Sequence, residues 1–391
     1  MASIASSKVF QTEFEWKYID YNWLSEGQKD AYIGADLYDH TKIVLIDVDR
    51  APDGRTFVTA SMREGAPVTL ATVSSEVGKG GPLLSPYPNW DYYEKSDICQ
   101  GIVSVYRIFI DNCDRLWLLD NGWIGNKYKC PAKLLAFNLT SDQEVVRHVL
   151  DDRVAKGKNG ASLFVTPIVK TNRRCNSTTV YMADALGHGL VIYKNGKTVR
   201  LEGDVYAPDT KHSRVSLGGF DFWVSLGVIG MALSPRKDGK RTLFFRSFSS
   251  LSIYAADTRE LEKSFKNGTV NYLRGTDILP SQGSAMAFSS HHGVMFYGLA
   301  NKTDIGCYRV RNSLKPENLG IIPTEEVIFR FVSGMKVKRM KHKRDYLLVM
   351  TNRYQKFSLR TVNFSEINYR VVSAPVDSLI RKSIACTLLN D

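Results

Sequence analysis

Val103–Gly122, VSVYRIFIDNCDRLWLLDNG, reads as strand, tight polar turn, strand. Val103, Val105, Ile108 and Ile110 form an apolar run with Tyr106 and Phe109 beside them. Asp111, Asn112, Cys113 and Asp114 break that run, and Leu116–Leu119 resume it. β-Branched and aromatic side chains suit a pleated surface, and Asp and Asn tolerate turn backbone, so the stretch is a hairpin. Working outward, the unit recurs. Lys42–Asp49 turns through Asp53 and Gly54 into Thr56–Thr59, and Leu163–Val169 turns through Asn172–Cys175 into Thr179–Met182. Val228–Leu233 turns through Lys237–Gly239 into Thr242–Phe245, and Ser284–Phe288 turns through His291–Gly293 into Val294–Tyr297. Gly334–Val337 turns through Lys341–Arg344 into Tyr346–Met350, the sixth copy. A spacing of roughly 50–65 residues points to a radial or stacked array. A lone hairpin cannot bury its apolar face, and closure around an axis leaves only short, protected edges. The expected fold is all-β: one six-bladed β-propeller over residues 10–391 with a central ligand channel.

The bulk numbers exclude several classes. Apolar residues make up 43% and charged residues 24% of 391, enough for a large core and too ordered in pattern for disorder beyond the termini. No run approaches the length of a transmembrane helix, so no membrane partner is expected. The formal charge is +12, which makes anionic glycans or coagulation components an alternative partner class. The one dense basic run, Lys336–Arg344, lacks the interleaved aromatics of a nucleic-acid platform, so no specific nucleic acid is expected. Six cysteines without a CxxC pair, together with sequons at Asn138, Asn176, Asn267, Asn301 and Asn363, point to a secreted, disulfide-bonded glycoprotein. Met1–Val9 has no apolar signal core and reads as a disordered mature or appended start.

Phe10–Trp23 reads as an edge strand, with Trp16–Ile19 expected to complete the blade nearest the C-terminus as a clasp. Leu24–Leu37 is polar and reads as a lead-in. Gly78–Asp97, Trp123–Pro131 and Tyr206–Gly219 carry turn residues and read as loops. Arg259–Lys266 and Pro375–Lys382 are the helical candidates. Cys113 and Cys175 occupy equivalent turns of successive repeats, which adjacent blades bring together, and Cys99 and Cys130 flank the opening hairpin. Cys307 is then left to pair with Cys386, among the several connectivities that six cysteines allow.

VYRIFIDNCDRLWLLDNG, GHGLVIY at Gly187–Tyr193, GVIGMALSP at Gly227–Pro235 and the ending IACTLLND together resemble the yellow and major royal jelly protein family. The resemblance runs from about Trp16 to the end and looks closest to the yellow-related proteins of sand-fly saliva. It implies a secreted, monomeric propeller without cofactor or metal. It also implies a salivary role: binding serotonin and catecholamines in the central channel and so depleting host mediators. The implied ligand motif lies in the last blade, where the salivary proteins carry a Thr after an RFV-x-G segment. Here RFVSG is Arg330–Gly334, and Met335 stands in place of that Thr. The following Asn-x-aromatic is Asn352, Arg353, Tyr354. Other insect members imply an alternative, dopachrome conversion in melanin formation.

By residue chemistry, the Asn352 amide oxygen can accept a bond from an ammonium, and Tyr354 can offer its ring and backbone carbonyl. Taken alone, Asn352 is an ordinary turn residue. Met335, Met231 and Met286 fall near the starts of inner strands, where methionines build an adaptable apolar pocket. His291 and His292 read as exposed turn residues, Asp111 and Asp114 as turn formers. Asp184 and His188 lack a nucleophilic serine in a G-x-S-x-G setting. The inner-strand starts Val103, Ser162, Val228, Ser284 and Gly334 make a poor cage for a hard cation. No catalytic set emerges, and the expected activity is binding without turnover.

Overall fold

The computed structural model describes residues 9–61, 64–236, 239–339 and 344–387. Six antiparallel four-stranded sheets stand around one axis. Their innermost strands are Val44–Arg50, Val105–Ile110, Phe164–Thr171, Val228–Leu233, Met286–Ser289 and Phe331–Arg339. Each touches its two neighbours, and the sixth touches the first, so the ring is closed. The sixth blade takes its outer strand from the other end of the chain: Gln11–Trp16 pairs with Tyr369–Pro375. The expected clasp exists, but it is shifted from Trp16–Ile19 to Gln11–Trp16. Trp16 is the last paired residue, and its carbonyl accepts from Asn368 N–H at 2.8 Å. Residues 1–8 of the expected disordered start lie outside the described residues, whereas Val9 already packs against the core of blades five and six.

Inner strands are buried along nearly their whole length, while the outer strand Gln143–Val149 alternates exposed and half-buried positions. This is why the inner strands read as continuous apolar runs and the outer strands read as loops. The core is divided into packets between blades: Ile168, Tyr181 and Ile192 of blade three meet Val228, Met231 and Phe245 of blade four. The turn of the opening hairpin works through Asp111, whose Oδ1 accepts from Cys113 and Arg115 N–H and whose Oδ2 accepts from Trp117 Nε1. Asp114 takes the left-handed backbone there at φ 52°.

Three bridges form in the expected pairing, Cys99–Cys130, Cys113–Cys175 and Cys307–Cys386. No cysteine is free. The helical candidates hold as Thr258–Lys263 and Val376–Ile380. The polar lead-in Leu24–Leu37 precedes the first blade and contains a helix, Glu26–Gly34, capped by Ser25 and with no buried face to give it an apolar period. The expected loops need correction. Gly78–Asp97 is not all loop: Gly81–Pro86 is the outer strand of blade one, where an edge tolerates proline. Trp123–Pro131 and Tyr206–Gly219 likewise contain strands. Trp123–Ile124 pairs with Lys127–Tyr128, and Arg214–Leu217 pairs with Phe220–Trp223.

Candidate functional site

The axis is not an open channel. Five of the six inner strands carry a register shift near their start, in the intervals Leu45/Asp47, Val105/Ile108, Phe164/Pro167, Val228/Gly230 and Val332/Gly334. A bulge releases a residue from the ladder and leaves its carbonyl in need of a donor. In blades four and six Arg107 supplies it, and the same side chain reaches blades three and five. Arg107, itself in the bulge of blade two, donates to Thr166 Oγ1 at 2.9 Å, Ile229 O at 3.0 Å, Ser284 O at 3.1 Å and Ser333 O at 2.6 Å. These acceptors belong to blades three, four, five and six. Blade one contributes Asp47, whose charge favours the guanidinium. Burial nevertheless pulls Arg107 down to about 10, still protonated at neutral pH.

Asp47 and Asp49 tie the last, first and second blades. Asp47 Oδ2 accepts from Ile108 N–H at 3.1 Å and Lys336 Nζ at 2.6 Å. Asp49 accepts from Ile110 N–H at 2.9 Å and pairs with Lys338 at 2.6 Å. Burial pushes the Asp47 carboxyl up; Lys336 and Arg107 oppose this.

Arg107 separates two ends of the axis. On the hairpin-turn side lies a cavity of about 490 Å³, whose walls include Met231, Met286, Met335, Phe109, Ile168 and Phe288. The three methionines expected in the pocket therefore meet in one cavity. Asn352 and Tyr354 do not join them. Phe331 pairs with Asn352 across the hairpin, and Met335 lies four residues further along the strand, roughly 13 Å at the usual strand rise. Asn352 is buried at the opposite mouth and its amide is committed: Nδ2 donates to Leu45 O at 2.8 Å, and Oδ1 accepts from Tyr354 N–H at 3.0 Å. The Tyr354 ring stacks on Phe331 at 5.3 Å and meets Phe222 edge-on at 5.9 Å, with Phe248 against Phe331. Tyr106 packs in the same cluster, and burial lifts both tyrosine hydroxyls. Phe222 belongs to the Arg214–Trp223 hairpin, which covers this mouth. Gln282 Nε2 donates to His212 O and Arg214 O at 2.9 Å and fixes its base, while Gly218 and Gly219 turn its tip with positive φ. Arg107 and the covering hairpin went unread in the sequence. The bulges leave no local signature, and the hairpin strands are four residues each.

Two further groups assemble only in space. Ser289 Oγ lies 2.9 Å from His292 Nδ1, and His292 Nε2 lies 2.8 Å from Asp377 Oδ1. The order mimics a nucleophile triad, but Ser289 is fully buried and its hydroxyl donates to Asp345 at 2.6 Å, so it has no substrate to meet. His292 is thus a buried network residue rather than an exposed turn histidine, while His291 is exposed. Among the described residues one cluster has metal-ligand spacing: Asp209, His212 and Asp277, at the base of the covering hairpin and partly open to solvent. Of the sequon asparagines, Asn176, Asn267, Asn301 and Asn363 are exposed and Asn138 is half-buried.

The described residues thus form a closed six-bladed propeller whose axis is plugged by Arg107, with a cavity on the hairpin-turn side and a buried aromatic cluster at the other mouth. The Major royal jelly protein family model matches residues 103–385. Major royal jelly protein 9 of Apis mellifera is 35% identical over 386 residues, covering 96% of this chain and 90% of the relative. Major royal jelly protein 7 of the same bee is 36% identical over 396 residues, covering 96% and 87%. The chain belongs to the major royal jelly protein family. Among solved structures, an alpha-L-arabinofuranosidase of Fusarium graminearum aligns at TM-score 0.51 and 9% identity over 94% of this chain and 99% of that one, a likeness of fold alone. Three bridges without a free thiol suit an oxidising, extracellular compartment.

Proposed function

We propose that this protein is a secreted, non-enzymatic binder of small aromatic amines, and that the ligand enters at the mouth covered by the Arg214–Trp223 hairpin. The observation that carries the reading is the cluster of Tyr106, Phe222, Phe248, Phe331 and Tyr354 at one end of the axis. Flat rings stack there, and ring faces attract an ammonium. Asn352 acts by fixing the Tyr354 backbone, at the start of the helix Tyr354–Ser358, rather than by lending a free oxygen. The hairpin must lift to admit the ligand. That the amines are serotonin and catecholamines, scavenged in saliva from a blood-feeding host, rests on the RFVSG and Asn-x-aromatic resemblance alone.

Calorimetric titration of the full chain against serotonin, dopamine, noradrenaline and histamine tests this, with mass spectrometry of the amine after long incubation. A scavenger acting by mass action needs binding of about −8 to −12 kcal/mol, and the amine should return unchanged. Absence of heat with every amine removes the reading. Protein-dependent product, dopachrome conversion included, replaces it with an enzyme.

A further inference from the structure

The cavity on the turn side of Arg107 has a chemistry opposite to that of an ammonium site. Its apolar wall is made by Met231, Met286 and Met335 with Phe109 and Phe288. Its charges come from five cationic side chains, Arg107, Arg241, Lys336, Lys338 and Arg339, against three carboxylates, Asp47, Asp49 and Asp345. Each carboxylate already holds a donor, and the one buried carboxylate oxygen without a hydrogen-bond partner among the described residues, Asp47 Oδ1, lies beside Gly334. Asp47 and Asp49 hold Lys336 and Lys338, each at 2.6 Å. Asp345 accepts from Ser289. An incoming ammonium would therefore meet two carboxylates already holding lysines, a third already accepting from a serine, and a surplus of positive charge.

Arg107 and Arg241 are the cations that bear on a further ligand. Arg107 Nε is buried and has no hydrogen-bond partner among the described residues. Arg241 leads into the strand Thr242–Ser247 at the cavity wall. Burial, aided by the nearby charge of Arg236, lowers its pKa, and an anion at the guanidinium would relieve both effects. A volume of about 490 Å³ is of the size that holds a small organic molecule.

We infer that this cavity is a second site, independent of the aromatic mouth, for an amphipathic organic monoanion whose apolar body lies on the methionines and whose carboxylate faces the cationic wall at Arg241. The methionine side chains adapt to the shape of the body. The guanidinium forks supply paired donors for the head.

The experiment is a calorimetric titration of the full chain with 2-naphthoate and its neutral isostere 2-naphthamide, at low and high salt. We expect naphthoate to bind at least tenfold more tightly than the amide and to weaken as salt screens the head. Arg241→Glu should weaken naphthoate at least tenfold and leave the amide unchanged. Met231→Trp, which fills the apolar wall, should remove both ligands. Tyr354→Ala, at the other mouth, should leave naphthoate binding as in the parent, and serotonin should not compete with it. The inference is overturned if the amide binds as well as the acid, if neither binds, or if Arg241→Glu leaves naphthoate unaffected. Loss of naphthoate binding in Tyr354→Ala would put the anion at the aromatic mouth and overturn it as well. Because Arg241 is half-exposed, its substitution remains decisive even if Met231→Trp fails to fold.

Discussion

Replacing Arg107 by alanine removes a side chain that bonds blades three to six from blade two and faces Asp47 of blade one. Four hydrogen bonds are lost, to Thr166 Oγ1 and to the carbonyls of Ile229, Ser284 and Ser333. Bonds from a charged donor contribute about 1.5–3 kcal/mol each. The gross loss is offset by the several kcal/mol that burying the guanidinium costs. What remains is set by the acceptors left behind. Ile229 O keeps the Thr166 hydroxyl at 2.6 Å. Among the described residues Ser284 O accepts from no other side chain than Arg107, and Ser333 O belongs to a bulge, so these two carry the damage at about 1–3 kcal/mol each. Asp47 also loses a favourable charge while Lys336 remains. The expected destabilisation is about 3–5 kcal/mol. At about 2.1 cal/mol/K per residue of unfolding entropy, that lowers Tm by roughly 4–6 °C for a chain of this length. Arg107→Lys keeps the charge but not the planar fork, and should fall between parent and alanine. Thermal unfolding at neutral pH with the disulfides intact measures the series. A Tm for Arg107→Ala within about 1 °C of the parent would show that the bulge carbonyls never depended on the guanidinium, and the account of the plug would fail.

Other expectations follow from the same contacts. Asn352→Ala frees the Tyr354 backbone and should weaken any amine bound at that mouth by roughly 10–100-fold, read by calorimetry; unchanged affinity would move the site elsewhere. Burial tends to raise the Glu262 pKa, but Lys170 and Lys194 more than offset it and hold it below its usual value. The carboxylate therefore stabilises the fold above pH 4.5 and loses that contribution as pH falls through the depressed folded value. Glu262→Gln should cost about 1.5–3 kcal/mol at neutral pH, and its gap from the parent should close in acid; a gap independent of pH would contradict the ion-pair assignment. Removing the Cys307–Cys386 bridge, which spans 79 residues, should cost about 2–4 kcal/mol by relaxing the unfolded chain. Denaturation of the double alanine variant checks this, and no change would mean that the tail is held by packing alone.

Hairpin periodicity, turn chemistry and cysteine placement were legible in the chain because each depends on residues close in sequence. Val103–Gly122 alone carries the strand alternation, the Asp111 turn and one cysteine of a bridge between equivalent turns. Six repeats of that unit sufficed to count the blades and to expect the clasp. The site was legible only in composition. Met231, Met286 and Met335 come from blades four, five and six, and their meeting in one cavity follows from closure of the ring. Asn352 and Met335 sit on neighbouring strands, yet strand register puts them at opposite ends of the axis, with Arg107 between. The role of Arg107 is invisible locally, because its acceptors, a hydroxyl and three carbonyls of which two are released by bulges, lie in other blades up to 226 residues away. Local sequence determines which strands and turns form. Which polar groups are left unpaired on the axis, and so where a ligand can lie, is decided only when six sheets close on one another and every buried donor and acceptor must be matched.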